Sequence, residues 1–179
     1  MVISAIKTMT QKVLWKDRDV IVIDMPPGTG DTQLTFAQEV KVDGAIIVST
    51  PQDLALLDVK RGIQMFDKTG VKTLGLIDNM SFFKGDDGKN YKIFGEGAVK
   101  KTAEEFNKEF LGEIPIVQSV REAGDFGRPA ALQENTHVEL AFKDLSQEIV
   151  KQVLNRNESL PPSEVIKITT MAGCSAVKK

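Results

Sequence analysis

The chain holds one cysteine, Cys174, among its 179 residues. A lone thiol cannot build an internal disulfide framework, and no Cys-x-x-Cys metal pair exists within one chain. Charge of a single sign is also lacking: 23 basic residues stand against 25 acidic ones, for a net charge of −2. No broad basic surface is available for nucleic acid, which removes that partner class. Long apolar runs are missing too, since nothing approaches the roughly 20 residues of a membrane span. Residues 1–14 lack the charged-then-apolar order of a signal peptide, so no membrane partner and a cytoplasmic location are expected. What remains is ordinary for a soluble globular chain of about one domain, with 41% hydrophobic and 27% charged residues.

The most informative stretch is Val20-Ile21-Val22-Ile23-Asp24-Met25-Pro26-Pro27-Gly28-Thr29-Gly30-Asp31. Four consecutive apolar residues, mostly β-branched, predict a parallel strand covered on both faces. Two prolines end it, because proline cannot continue a ladder. Asp24 then falls at the carboxyl end of the strand, where open α/β sheets bind ligands. An acid there suits the Mg²⁺ that bridges nucleotide phosphates. Gly28-Thr29-Gly30 can bring backbone N–H groups against an anion, and Asp31 stands at the N-cap position of a helix over 32–40.

The full D-x-P-P-G-T-G-D string resembles the Mrp/ApbC family of P-loop ATPases, relatives of MinD-type ATPases and the nitrogenase iron protein. The resemblance continues through Ser49-Thr50-Pro51-Gln52-Asp53-Leu54-Ala55-Leu56, Asp78-Asn79-Met80-Ser81, Ile93-Phe94-Gly95, Gly112-Glu113-Ile114-Pro115 and Arg121-Glu122-Ala123-Gly124-Asp125. It implies a three-layer α/β/α fold with a mainly parallel sheet, P-loop NTPase and MinD-like, present here as a partial domain. Residues 1–154 would be the C-terminal part of the ATPase domain and 155–179 a tail. It further implies ATP and Mg²⁺ as cofactors, a homodimer, and iron–sulfur apo-proteins as clients. Asp24 and Asp31 become the candidate catalytic residues, with Asp24 on Mg²⁺. Pro27, Gly28, Thr29 and Gly30 become nucleotide contacts in a segment that responds to the γ-phosphate. Asn79 matches an asparagine that hydrogen-bonds adenine, and Pro115 and Arg121 are candidate contacts near the base. Arg121 can equally form a surface pair with Glu122, and Asn79 can serve as a turn residue.

Two expected features are absent. No G-x-x-x-x-G-K-[ST] loop or Lys-doubled variant occurs; the stretches at 85–89 and 70–73 have the wrong spacing and read as turns. In the family that loop precedes the segment seen here, so this chain by itself is expected to hydrolyse no ATP. The second absence lies between Phe83 and Ile93, where the family commonly carries a Cys-x-x-Cys pair that bridges a [4Fe–4S] cluster across two subunits. Here Lys84-Gly85-Asp86-Asp87-Gly88-Lys89-Asn90-Tyr91-Lys92 reads as a β-hairpin without cysteine. Cys174 could ligate a cluster across a dimer or be a free thiol; one sulfur per subunit favours the thiol.

The rest is a series of expected elements. A helix over 1–14 precedes the Asp24 strand. A strand over 44–50 leads to a helix over 54–68, with Asp53 as N-cap and Leu54, Leu57, Ile63, Met65 and Phe66 mostly on the sheet. A strand over 72–79, a helix over 96–110 with Val99, Ala103 and Phe106 inward, and a strand over 110–114 follow. Gly124, Gly127 and Pro129 mark an irregular loop, His137 opens a long closing helix, and a linker-like run begins at Asn155. Three functions compete. One is an ATP-dependent iron–sulfur cluster carrier or assembly protein; the alternative is a non-catalytic dimerisation or binding module derived from it. A membrane-cycling MinD-like ATPase lacks support, because Pro161-Pro162 and Gly173 break any basic amphipathic tail helix.

Overall fold

The computed structural model describes residues 5, 8–10, 12–25, 31–134 and 136–164. Helix α1 spans Asp31–Glu39, followed by strand β1, Ala45–Ser49, and helix α2, Asp53–Thr69. Strand β2 runs Thr73–Lys84 and turns back through the two-residue strand β3, Asn90–Tyr91. Helix α3, Ala98–Glu105, leads into β4, Phe110–Ile116. Helix α4, Gln118–Asp125, a short 3₁₀ turn at Ala130–Leu132 and helix α5, His137–Ser159, complete the order.

β2 is the central strand, pairing in parallel with β1 on one side and β4 on the other, with β3 antiparallel at its far end. Its first half, Thr73 to Asp78, is buried throughout, as a strand covered on both faces must be. Alternation then sends neighbouring side chains into different cores. Leu76 packs with Leu56, Val59 and Ile63 of α2 and with Val99 and Ala103 of α3. Ile77 packs with Leu111 and Ile114 of β4 and with Leu145 of α5. Helices α2 and α3 therefore cover one face and α5 the other, which is the expected three-layer α/β/α arrangement.

Local chemistry sets the ends of these elements. α2 stops at Gly70, whose φ of 71° closes the helix through N–H bonds to the Phe66 and Asp67 carbonyls. α5 starts at Thr136, whose hydroxyl accepts the Glu139 N–H at 3.1 Å. Gly75 sits where β2 passes β4: a Cβ there would meet Leu111 Cγ at 2.6 Å and the Glu109 carbonyl oxygen at 2.7 Å.

Several expectations give way. Residues 20–25 form no strand; Val20, Ile21 and Ile23 are exposed, and Val22 is 90% exposed. The apolar pattern is real, but a strand needs a neighbour for its backbone groups, and among the described residues none pairs with it. Residues 5 and 8–10 are helical, whereas 12–14 are not, so the expected first helix is shorter where it is described. Asp53 is no N-cap: Gln52 holds that position without a side-chain bond, and Asp53 lies in the first turn. Leu54 and Leu57 are 79% and 55% exposed, because the true core stripe of α2 is Leu56, Val59 and Ile63. Of the expected irregular loop, Gly124 lies in the last turn of α4 while Gly127 and Pro129 are in turn and irregular backbone, and α5 runs past Asn155 to Ser159.

Candidate functional site

β1 stops at Ser49, level with Asp78 of β2, while β2 and β4 run on side by side to Lys84 and Ile116, so the rim of the three-stranded parallel part lies at Ser49, Asp78 and Glu113. Ser49 lies beside Asp78, and Asp78 beside Glu113; Asn79 lies beside Ile114, one residue before Pro115. Two predicted base contacts, Asn79 and Pro115, are thus neighbours on adjacent strands. The Asn79 side-chain oxygen accepts the Met80 N–H at 3.0 Å, and Met80 adopts φ 56°, in the left-handed region. That bond fixes the carboxamide and leaves its NH₂ group as a donor.

Past Pro115 the rim opens into a groove of ≈ 1050 Å³ between the β2–β3 hairpin, the start of α4 and the first turns of α5. Phe82, Phe83, Pro115, Val117, His137 and Leu140 line it. Apolar walls with a few polar groups at the carboxyl end of a parallel sheet suit a flat, partly polar ligand. His137, expected to open the closing helix, is exposed at the helix start and belongs to this wall.

The other predicted site residues are not assembled at the rim. Asp24 is exposed and outside the sheet. Pro27, Gly28, Thr29 and Gly30 lie outside the described residues, as does the Asp31 side chain. Arg121 projects from α4 into an ion pair with Asp125 at 3.0 Å and Glu122 at 3.8 Å, the surface role that sequence allowed. For Mg²⁺ the donor type is right, a carboxylate at the end of an apolar segment. Yet Asp24 alone does not make a coordination site, and the described residues contain no group of three or more potential ligands. The expected hairpin is present and contains no thiol. Its tip is closed by Asp87, which accepts the Lys89 N–H at 3.0 Å and the Tyr91 hydroxyl at 2.8 Å. These bonds hold the Asp87 carboxyl below the ordinary aspartate range. Cys174 lies outside the described residues.

One group at the rim was not singled out in the sequence. Asp78 is 2% exposed, and one of its carboxylate oxygens has no hydrogen-bond partner. Burial first, and the neighbouring Glu113 carboxylate second, push its pKa up to about 6, against a smaller opposing pull from Lys92. The available signal was an acid closing an otherwise continuous apolar run, Leu74-Gly75-Leu76-Ile77-Asp78.

Comparison with known proteins agrees with this geometry. Residues 1–154 match the family model described as ParA, NUBPL iron-transfer P-loop NTPase. The chain is 44% identical over 92% of its length to an Arabidopsis thaliana protein, "Iron-sulfur protein required for NADH dehydrogenase, mitochondrial", of which it covers 53%. It is 41% identical over 88% of its length to the Escherichia coli "Iron-sulfur cluster carrier protein", covering 43% of that protein. The chain therefore spans about half the length of the curated relatives it matches. Among solved structures, a nucleotide-binding protein of Archaeoglobus fulgidus in complex with ADP superposes with a TM-score of 0.67 at 36% identity, over 79% of this chain and 57% of that one. The Pyrococcus furiosus cell division ATPase MinD, 23% identical with a TM-score of 0.60 over 83% of this chain and 56% of its own, shares the fold. With that match across 154 of its residues, the chain belongs to the NUBPL iron-transfer family of P-loop NTPases.

Proposed function

We propose that this chain is the C-terminal part of an ATP-dependent iron–sulfur cluster carrier, supplying the base side of a nucleotide site that an upstream segment completes. The observation that carries the proposal is the pairing of an open sheet edge with an unused strand. β1 is an edge strand, and residues 20–25 have the composition of a buried strand but lie exposed. One additional parallel strand, ending in a phosphate-cradling loop of the Lys-Gly-Gly-x-Gly-Lys-Ser type, would satisfy both. The relatives, about twice as long, have room for it.

In the complete protein the Asn79 NH₂ donates to a purine ring nitrogen, with Pro115 and the groove walls against the base. Arg121 adds a contact only by leaving Asp125. Asp24 is the carboxylate for the Mg²⁺ of the nucleotide, and Pro27, Gly28, Thr29, Gly30 and Asp31 respond to the γ-phosphate. Nucleotide then controls a homodimer that passes clusters to apo-protein clients, in the cytoplasm. A ligand drives such a change only through its different affinity for the two arrangements. The test is turnover. The 179-residue chain is expected to release no phosphate from ATP. The same chain joined to an upstream strand and glycine-rich loop is expected to hydrolyse it, and Asp24→Ala in the joined chain to abolish that. Turnover in the short chain that disappears in Asp24→Ala would overturn the proposal.

A second reading, a binding module that carries no cluster, is favoured by the thiol-free hairpin tip closed by Asp87 and Tyr91. Anaerobic reconstitution with iron and sulfide separates the two. Visible absorbance that depends on Cys174 supports the carrier; a colourless protein supports the module.

A further inference from the structure

We propose that Asp78 is the proton-sensitive end of a latch that seats the β2–β3 hairpin, and with it one wall of the groove, against the rim of the sheet. Three groups make the latch. Asp78, buried in the central strand, stands beside Glu113 of β4 in the parallel register. Lys92 leaves the hairpin directly after Tyr91, places its ammonium 3.6 Å from the Glu113 carboxylate, and lies 5.2 Å from the centre of the Phe82 ring. Lys92 is therefore the cation that ties the hairpin's return to both β2 and β4. Asp78 feels it too, since the Lys92 charge is the influence that favours the ionised carboxylate.

Among the described residues, Glu113 and Lys92 are the charges that act on Asp78. β1 presents Ser49, whose hydroxyl donates to the Thr50 carbonyl. α2 and α3 present Leu56, Val59, Val99 and Ala103 to Leu76, two residues earlier on the same face of β2. An ionised Asp78 has no hydrogen bond for one oxygen and only Lys92 to answer its charge, so it pulls Lys92 over the rim. A protonated Asp78 exerts no such pull, and Lys92 keeps Glu113 alone, a half-exposed pair that holds weakly. The hairpin tip is closed on itself, through Gly85 N–H to the Lys89 carbonyl at 2.9 Å and through the Asp87 bonds to Lys89 and Tyr91, so a pull on Lys92 is passed to the tip as a whole. Phe82, Phe83, Lys84 and Asn90 line the groove, so seating the hairpin sets the groove's width. The latch does not depend on what the groove holds.

Tyr91 is the only tyrosine, which gives the hairpin a private reporter. With the aspartate carboxyl carbons and the Tyr91 ring labelled for NMR, the Asp78 signal and the ring signals are expected to shift together, with one midpoint near about 6. Asp78→Asn is expected to abolish the Tyr91 shift between about pH 5 and 7.5, a window in which an aspartate with a strongly raised pKa titrates. Lys92→Met covers the case in which Asp78→Asn fails to fold. There Asp78 should still titrate, at a higher midpoint for want of the lysine, while Tyr91 stays still. A Tyr91 signal that is flat in the unmodified chain would overturn the latch. So would a shift that survives Asp78→Asn or Lys92→Met, or one that vanishes in His137→Gln, which would assign it to the histidine in the groove.

Discussion

Two segments of this chain carry nearly the same apolar pattern and meet opposite fates. Residues 73–78 are buried without exception at the centre of the sheet, whereas residues 20–23 lie exposed outside it. Both end in an acid, Asp78 and Asp24, after a run of mostly apolar residues. The difference is what stands beside them. β2 has β1 and β4 to pair with, α2 and α3 on one face and α5 on the other. Residues 20–25 have no paired neighbour among the described residues, and an apolar run cannot become a strand on propensity alone.

The comparison can be broken most forcefully by truncating each segment. Leu76→Ala, at a position with no exposure, should cost about 2–5 kcal/mol by chemical denaturation, from lost burial plus a residual cavity. Val22→Ala should change stability by less than about 0.5 kcal/mol in this chain. A large loss at Val22 would mean that the segment is already packed.

The two acids differ as sharply. Asp78 has a folded pKa of about 6, against 3.8 for the ordinary aspartate. A raised carboxyl favours the folded state while both forms are protonated, below 3.8, and that advantage is lost as pH rises through 6. Set against Asp78→Asn, the native chain should lose up to about 3 kcal/mol of relative stability between those limits and stay level above them. Equal pH profiles for the two would remove Asp78 from the core account. A smaller effect belongs to Thr136→Ala. Losing the hydroxyl that caps α5 should cost about 1 kcal/mol and lower the thermal midpoint.

Much of the fold was legible because the signals were local. The strands expected near 44–50, 72–79 and 110–114 and the helix beginning at His137 are all present, each announced by an apolar run or stripe of its own. The hairpin was legible for the same reason, through Gly-Asp-Asp-Gly between aromatic ends. Misassignments came where the outcome depended on distant partners. The inward stripe of α2 is shifted because Leu56, Val59 and Ile63, rather than Leu54 and Leu57, meet Leu76 and Val99. The helix α4 was hidden by Gly124, which its last turn tolerates. At the site, Asn79 and Pro115 are brought side by side by the pairing of β2 with β4, within the strands rather than at their ends. Asp24 is not, since its place depends on a strand pairing that sequence pattern cannot supply.

Residues 20–25 have the apolar composition of a strand and, among the described residues, no neighbour to pair with; the proposed function supplies one. Backbone hydrogen exchange of residues 20–24 tests it most directly, measured in this chain and in the same chain joined to an upstream strand and glycine-rich loop. Amides that exchange freely in the first and become protected in the second, further still with Mg²⁺ and ADP, are the expected result. Amides that stay unprotected in the joined chain, while those of residues 73–78 remain slow, would contradict it.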